Sequence, residues 1–367
     1  MFLHEVFFIS TLLTPGQEHA ILQSDFILER MLKIMNNFPN PTRYDNMTYR
    51  RCGNSGLKLP LLSLGLWHNF GNTNTLERMN AICQTAFDHG ITHFDLANNY
   101  GPPAGAAEKN FGTILKTTFA GHRDELIIST KAGFDMWPGP YGDCGSRKYL
   151  LASLDQSLQR LGLDYVDIFY HHRPDPNTPL EETMGALAQA VQSGKALYVG
   201  LSNYSGAEME RAAAILKELR CPFIINQNRY SILDRNAEEN AILEASEALQ
   251  KGVIVYSPLA QGLLTDRYLH GNIPADSRIR TDGRFLTENQ LTPAHIASLQ
   301  ALQQIAQDRG QSLAQMALSW ILRQPSVASV LVGASKPEQL LDSLKIMDST
   351  PFTEEELQKI DQISKNF

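Results

Sequence analysis

Eight short apolar runs alternate with longer amphipathic segments along most of this chain. Each run has the length of a β-strand, and several are apolar on both faces, as parallel strands are when helices cover them. This alternation predicts an α/β fold, the TIM (β/α)8 barrel. The runs are residues 61–67, 91–97, 125–132, 165–172, 196–202, 223–230, 252–259 and 329–334, and the clearest helical segments are 76–90, 149–162, 184–194 and 313–324.

Turn residues support this fold. Residues 49–51 and 57–59 flank a Gly-Asn-Ser-Gly turn, which predicts an N-terminal β-hairpin that closes the bottom of the barrel. A doubly wound dinucleotide-binding sheet would instead need G-x-G-x-x-G after an early strand, and the glycines at 101 and 105 enclose prolines that lack the required N–H groups. Several helical segments are expected to end on a glycine in the left-handed conformation: Gly90, Gly162, Gly194 and Gly252.

Residues 1–46 differ in character from the regular pattern that follows. Their apolar run, 6–13, is shorter than the roughly 20 residues of a membrane span and lacks the basic flank of a signal peptide. We expect an extension that is poorly ordered or an artefact of the assigned start, with Met47 among the alternative starts, and a barrel over 47–367. A targeting or docking segment is the alternative.

Charge and cysteine content exclude several classes of partner. A net charge of −7 argues against binding to nucleic acid or to an anionic membrane. The four cysteines form no C-x-x-C pair and have no histidine at zinc spacing, so we expect no metal site and a reduced, cytoplasmic chain. A homo-oligomer stays open.

Polar side chains directly follow the apolar runs. Active sites of (β/α)8 barrels lie where the strands end, so these side chains are expected to meet at one mouth. They are Trp67 to Asn69, Asp95 to Tyr100, Lys131, His171 to Arg173, Ser202, Asn203, Gln227, Tyr256, Ser257 and Gly333 to Ser335.

Four of these residues form a chemically coherent set. An ammonium from Lys131 close to the Tyr100 phenol would lower the phenol's pKa, and the Asp95 carboxylate would keep that ammonium charged. His172 would donate a hydrogen bond to a carbonyl oxygen. The set is thus suited to protonating a carbonyl while a hydride arrives from elsewhere.

Each member also has a structural alternative. A single aspartate such as Asp95 at a strand end more often caps a helix or forms an ion pair than acts in catalysis, and Lys131 alone would be a solvated loop cation. Tyr100 would then be a half-buried aromatic side chain. Strand alternation sends His171 and His172 to opposite sides, so one of the two is expected to be structural.

Ordered motifs carry a resemblance to a known family. The chain resembles the aldo-keto reductases over residues 47–363, in FDLANNYG (94–101), STKAG (129–133), LDYVDIFYHHRPD (163–175), GKALYVGLSNYS, NQNRYS, YSPLAQGLLT and VLVGASKPEQL. The loop 131–150, with 65–71, further resembles the bacterial branch that reduces L-glyceraldehyde 3-phosphate. That branch is similar to the voltage-gated potassium channel β subunits.

The resemblance implies an NADPH-dependent enzyme that reduces small aldehydes, with L-glyceraldehyde 3-phosphate and methylglyoxal as candidate substrates. It makes Tyr100 the proton donor, Lys131 and Asp95 the residues that tune it, and His172 the residue that orients the carbonyl. It also implies the sites for NADP(H). Ser202, Asn203 and Gln227 would hold its carboxamide, and Tyr256 would stack on the nicotinamide. The segment that covers the pyrophosphate would contain Ser257, Leu259, Gln261 and Arg267, with Arg278 beyond it. The 2′-phosphate would be received by Ser335, Lys336 and Gln339, and the further cofactor-binding positions are Trp67, Asp95 and Ser343.

Two departures from the family pattern leave the choice between NADPH and NADH open. Lys336 stands where many relatives have arginine, and Ser343 replaces a common asparagine. Ser335 to Glu338 also has a capping-box pattern, so plain helix capping is the alternative for this segment.

Substrate contacts and function have alternatives too. Trp67, Tyr100, Trp137 and Tyr141 are candidate pocket walls, and Arg147 or Lys148 would meet a phosphate unless both are solvated cations at a helix start. A cofactor-binding regulatory module like the channel β subunits is one alternative function, although those typically carry asparagine at the position of His172. A Schiff-base aldolase using Lys131 is another.

Overall fold

The computed structural model describes residues 39–275, 277–365 and 367. The barrel belongs to a unit that comprises Thr42–Phe367. Most of the predicted extension lies outside the described residues, and its boundary at residue 46 stays a prediction. Within the barrel unit, the side chains of Arg43 and Tyr44 both bond to Glu125.

Eight parallel strands form a closed barrel, as the alternation predicted. Each strand pairs with its neighbours in chain order, and the last pairs with the first. They are β3 (Leu62–Gly65), β4 (His93–Asp95), β5 (Ile127–Ala132), β6 (Val166–His171), β7 (Ala196–Ser202), β8 (Phe223–Arg229), β9 (Gly252–Tyr256) and β10 (Val327–Val332).

The predicted hairpin precedes the barrel. Strands β1 (Tyr49–Arg51) and β2 (Lys58–Pro60) pair antiparallel, with Tyr49 opposite Pro60. Buried Leu59 packs in one apolar cluster with residues of the barrel strands, among them Ile168 and Ile254. The hairpin therefore covers the amino end of the barrel, opposite the mouth.

Helices surround the barrel. They are α1 (Leu76–Asp88), α2 (Ala106–Thr117), α3 (Arg147–Leu161), α4 (Leu180–Gln192), α5 (Gly206–Glu218), α6 (Asn236–Glu239), α7 (Ile242–Ala248), α8 (Arg278–Thr281), α9 (Pro293–Asp308), α10 (Leu313–Leu322), α11 (Pro337–Leu344) and α12 (Glu354–Ser364). Among the described residues, no helix has both the length and the apolar character needed to cross a membrane.

Two predictions of helix ends are wrong. Gly252 lies in β9, and Gln250 takes the left-handed conformation after α7 instead (φ 54°). The capping box at Ser335 does not form, because Lys336 is the N-cap of α11 and its side chain makes no capping bond. The side chain of Gln339 instead accepts a hydrogen bond from the backbone N–H of Ser335, at 2.7 Å.

Strand register places the polar residues at one level of the mouth. Asp95 at the end of β4 lies between Gly65 of β3 and Ser129 of β5. Ser202 of β7 lies beside Gln227 of β8. Because the strands are parallel, their carboxyl ends face the same mouth, and the side chains there can converge.

Candidate active site

A buried ion pair lies at the centre of the mouth. The Lys131 ammonium is 2.5 Å from the Asp95 carboxylate, and both residues are buried. The ammonium also donates to the carbonyl of Leu96, at 2.7 Å, and lies 3.4 Å from the Tyr100 hydroxyl. All three of its donors are thus engaged. Lys131 is therefore no solvated loop cation, and Asp95 forms the ion pair that was one of its structural alternatives.

The other oxygen of Asp95 is held from two further strands. Ser129 donates to it from β5 at 2.7 Å, and the amide of Gln227 donates from β8 at 3.2 Å. Together with Lys131, which also lies on β5, residues from two strands therefore fix the direction of this carboxylate. Sequence reasoning assigned Gln227 to a cofactor amide and did not foresee this bond.

Tyr100 stands on a turn beyond β4, where its backbone N–H donates to Ala97 at 3.1 Å. Its partly buried ring is 6.4 Å from Trp67 and 6.0 Å from His172, measured between ring centroids. Burial and the charge of Asp95 raise the pKa of Tyr100 well above its usual value. The expected lowering of this pKa is thus wrong for the described structure, because burial disfavours the phenolate and the charge of Asp95 disfavours it further. Tyr100 is a phenol at neutral pH and has a proton to donate.

His171 and His172 point to different surroundings, as strand alternation predicts. His171 is buried and pairs with the Tyr204 hydroxyl at 2.7 Å. His172 packs against Phe134, at 4.6 Å between ring centroids, on the side of Tyr100. Burial and the charge of Lys131 hold the pKa of His172 well below its usual value, so its imidazole is neutral at neutral pH.

The residues expected to hold a carboxamide adjoin this group. Asn203 has a left-handed backbone (φ 62°), and its amide donates to the His172 carbonyl at 2.9 Å and to the Ser202 hydroxyl at 3.1 Å. The hydroxyl of Tyr256 donates to the Asn203 side chain at 2.8 Å. Asn203 thus links Tyr256 to the backbone of His172, which with Asp95, Tyr100 and Lys131 makes up the candidate tetrad.

The segment after β9 contains several of the residues expected at the pyrophosphate. Ser257 and Gln261 have left-handed backbones, and the Gln261 amide donates to the Ser257 hydroxyl at 2.9 Å. Arg278 bonds to Gln261, and its guanidinium lies 5.4 Å from the centre of the Trp67 ring. Leu259 is half-buried in the segment's first turn, and Arg267 lies in the short 3-10 helix Asp266–Tyr268.

The predicted 2′-phosphate residues lie at the start of α11. Ser335 and Lys336 are exposed, and Gln339 bonds Ser335. Ser343 lies one turn further, where its hydroxyl donates to the Gln339 carbonyl at 2.9 Å. A cation at the positive end of a helix is suited to an anion.

The candidate substrate residues do not all lie near the tetrad or in an enclosed pocket. Trp67 lies beside Tyr100, whereas Trp137 packs on Tyr149, at 5.2 Å between ring centroids. Tyr141 is 56% exposed, so it does not wall an enclosed pocket. Arg147 and Lys148 are exposed in the first turn of α3, as in the alternative of solvated cations at a helix start.

Two contacts join the loop after β3 to the segment that follows α8, and the sequence did not predict them. His68 Nε2 is 2.9 Å from the Asp282 carboxylate, and Phe285 packs edge-on against Trp67, 5.3 Å away. Nothing local marks Asp282 or Phe285, because they lie about 215 residues beyond their partners in the chain.

The donor set fits an extended nicotinamide dinucleotide. The hydroxyl of Ser202 and the amide of Asn203 lie close to the tetrad, where a carboxamide needs donors and acceptors. Arg278 and Lys336 supply cations of the kind that phosphates need. The chemistry of the residues therefore matches the two ends of such a cofactor.

Comparisons with known proteins agree with this geometry. The model of the aldo/keto reductase family matches residues 61–365. The chain is 59% identical over 326 residues to L-glyceraldehyde 3-phosphate reductase of Escherichia coli O157:H7, covering 88% of this chain and 94% of that protein. A probable voltage-gated potassium channel subunit beta of Oryza sativa subsp. japonica is 35% identical over 320 residues, covering 86% of this chain and 96% of that protein.

A solved structure shares the fold. A thermostable aldo-keto reductase in complex with the inhibitor epalrestat is similar at a TM-score of 0.68 and 30% identity, covering 86% of this chain and all of that one. The family model spans most of the chain, and the predicted resemblance is confirmed. The chain belongs to the aldo/keto reductase family and is an oxidoreductase of the kind that acts with a nicotinamide cofactor.

Proposed function

We propose that the protein reduces small aldehydes to alcohols with NADPH, and that L-glyceraldehyde 3-phosphate and methylglyoxal are candidate substrates. The observation that carries this proposal is the pair of contacts that Lys131 makes, one with Asp95 and one with Tyr100. The neutral ring of His172 lies beside Tyr100. The identity to a relative named for L-glyceraldehyde 3-phosphate supports the substrate class.

Tyr100 is the proton donor in this proposal. When bound, the cofactor supplies a hydride to the carbonyl carbon. The Tyr100 phenol gives its proton to the carbonyl oxygen as negative charge develops there, and the Lys131 ammonium, 3.4 Å away, stabilises the phenolate that is left. Asp95 holds Lys131 in that direction, at 2.5 Å.

His172 orients the substrate. Its imidazole is neutral, so it adds no charge to the site and serves as a hydrogen-bond partner for the carbonyl oxygen. Phe134 packs on His172, and Trp67, with Phe285 against it, lies beside Tyr100, so the site has apolar walls. In the proposed mechanism, walls of this kind would keep water from the developing charge and so strengthen the hydrogen bonds that act on it.

NADP(H) would extend from the tetrad to α11. Ser202 and Asn203 would hold the carboxamide and Tyr256 would stack on the nicotinamide, while Gln261 and Arg278 would cover the pyrophosphate. Ser335, Lys336 and Gln339 would receive the 2′-phosphate. The left-handed backbones at Ser257 and Gln261 support a role for this segment in ligand binding, since such conformations persist at ligand clamps.

A panel of aldehydes tests the proposal. We expect NADPH absorbance to fall with L-glyceraldehyde 3-phosphate and methylglyoxal, and to fall less with NADH in place of NADPH. Binding of NADPH without turnover of any aldehyde would instead favour a regulatory module like the channel β subunits.

Borohydride trapping tests the aldolase alternative. A Schiff-base lysine needs a free amine, whereas all three donors of Lys131 are engaged and a carboxylate lies 2.5 Å away. Borohydride added with an aldehyde substrate should therefore leave Lys131 itself without an adduct, as read by peptide mass mapping. An adduct on Lys131 would overturn the reductase proposal.

A further inference from the structure

A chain of hydrogen bonds runs below the tetrad through the barrel interior. The imidazole of His93, on β4, contacts the Ser63 hydroxyl through Nδ1 at 2.9 Å and the Ser129 hydroxyl through Nε2 at 3.0 Å. Ser129 donates onward to Asp95 at 2.7 Å, and Ser63 lies 2.6 Å from the Ser329 hydroxyl. All five residues are buried.

The carboxylate of Asp95, at one end of this series, decides which group donates and which accepts in each hydrogen bond. Asp95, paired with the Lys131 ammonium, has only acceptors, so the single hydroxyl proton of Ser129 points to Asp95. His93 must then donate to Ser129, which places its proton on Nε2. Nδ1 is left as an acceptor for the hydroxyl of Ser63.

His93 has to be neutral for these donor and acceptor roles to hold. Burial lowers its pKa to about 4, so it carries one ring proton at neutral pH. With one proton and two hydroxyl neighbours, it can donate on one side only.

We propose that His93 is a positioning residue of the active site: through the hydroxyl of Ser129, its Nε2 proton holds the Asp95 carboxylate in the direction that aims Lys131 at Tyr100. This proposal rests on the proposed roles of Asp95, Lys131 and Tyr100. Groups behind a functional side chain that fix its tautomer and direction act in this way elsewhere.

The tautomer of His93 is the most direct test. Nitrogen-15 NMR of the full-length protein should show the ring proton of His93 on Nε2. In Asp95→Asn, Lys131 has only donors and so takes the amide oxygen, which turns the NH2 group towards Ser129. Ser129 then donates to His93, and the proton should move to Nδ1. A proton on Nδ1 in the wild type, or no change in Asp95→Asn, would refute the coupling.

Kinetics separate positioning from a purely structural role. His93→Phe keeps a ring and removes both hydrogen bonds, and Ser129→Ala removes the link to Asp95. For each we expect kcat to fall about ten- to a hundredfold, the range found for such supporting groups, while KM and the Kd for NADPH stay within about twofold. His93→Gln, which retains an N–H donor, should recover part of the loss.

A matched control is Ser246→Ala, which removes a buried hydroxyl bonded to Met209 on the outer helices. It should leave kcat unchanged. Unchanged kcat in a folded His93→Phe or Ser129→Ala would overturn the proposal, and if His93→Phe does not fold, Ser129→Ala and the tautomer decide. A wild type that reduces no aldehyde would refute the proposed function, whereas the tautomer test would still decide whether His93 and Asp95 are coupled.

Discussion

The ammonium of Lys131 lies 2.5 Å from the carboxylate of Asp95, and both residues are buried at the mouth of the barrel. Taking two charges out of water is costly, so such a pair is weak evidence for stability by itself. Its geometry has a clearer consequence for function. The pair leaves one edge of the ammonium facing the Tyr100 hydroxyl, 3.4 Å away, where a developing phenolate would be stabilised.

Removing the cation should destabilise the fold. In Lys131→Met, Asp95 keeps its bonds to Ser129 and Gln227 but becomes a buried carboxylate without a countercharge. We expect the free energy of unfolding, measured with urea, to fall by about 3 kcal/mol. The double variant Asp95→Asn with Lys131→Met should lose less, because no charge is left buried. A double variant at least as unstable as Lys131→Met would contradict the ion-pair argument.

Loss of the Tyr100 hydroxyl should stop reduction. Tyr100→Phe removes the proposed proton donor and keeps the ring that packs between Trp67 and His172. We expect kcat to fall by about a hundredfold or more, with an unchanged Kd for NADPH. Tyr170→Phe makes the same change on a buried tyrosine whose hydroxyl has no hydrogen-bond partner among the described residues, and it should turn over like the wild type. Wild-type kcat in Tyr100→Phe would refute the assignment.

The sequence was enough to predict the barrel and the convergence of its polar strand ends. Parallel strands and short connections leave one mouth, so Asp95 and Lys131 had to approach each other once their positions at strand ends were known. The pKa of Tyr100 was less accessible, because it depends on distances: the ammonium is closer to Asp95 than to Tyr100, and burial opposes ionisation.

Contacts between segments far apart in the chain could not be predicted from the sequence either. The pairing of His68 with Asp282 depends on how the chain after α8 folds against the loop after β3, which no local pattern encodes. The same holds for His93. In the sequence it is one residue of an apolar strand, and its hydrogen bonds to Ser63 and Ser129 become visible only when the adjacent strands are in position.

Acid should destabilise the protein through its buried histidines. Burial lowers the pKa values of His93 and His171 to about 4, whereas both have about 6.5 in the unfolded chain. Between pH 4 and 6.5 the unfolded state therefore binds more protons, and stability falls as the pH falls. A fall from 6.5 to about 4 corresponds to about 3 kcal/mol for each histidine, fully present above pH 6.5. Urea unfolding at pH 7.5 and pH 5 measures this, and equal stability at both would contradict it.

The ammonium of Lys336 should decide the preference for NADPH. It is exposed at the N-cap of α11, so a 2′-phosphate there would meet both its charge and the positive end of the helix. Lys336→Met should raise the Kd for NADPH by roughly tenfold, as expected for one lost charged hydrogen bond, and leave the Kd for NADH unchanged. Lys345→Met makes the same change at the other end of this helix, where the ammonium pairs with Asp342 at 3.1 Å, and should alter neither value. Equal effects of Lys336→Met on both cofactors would place the 2′-phosphate elsewhere.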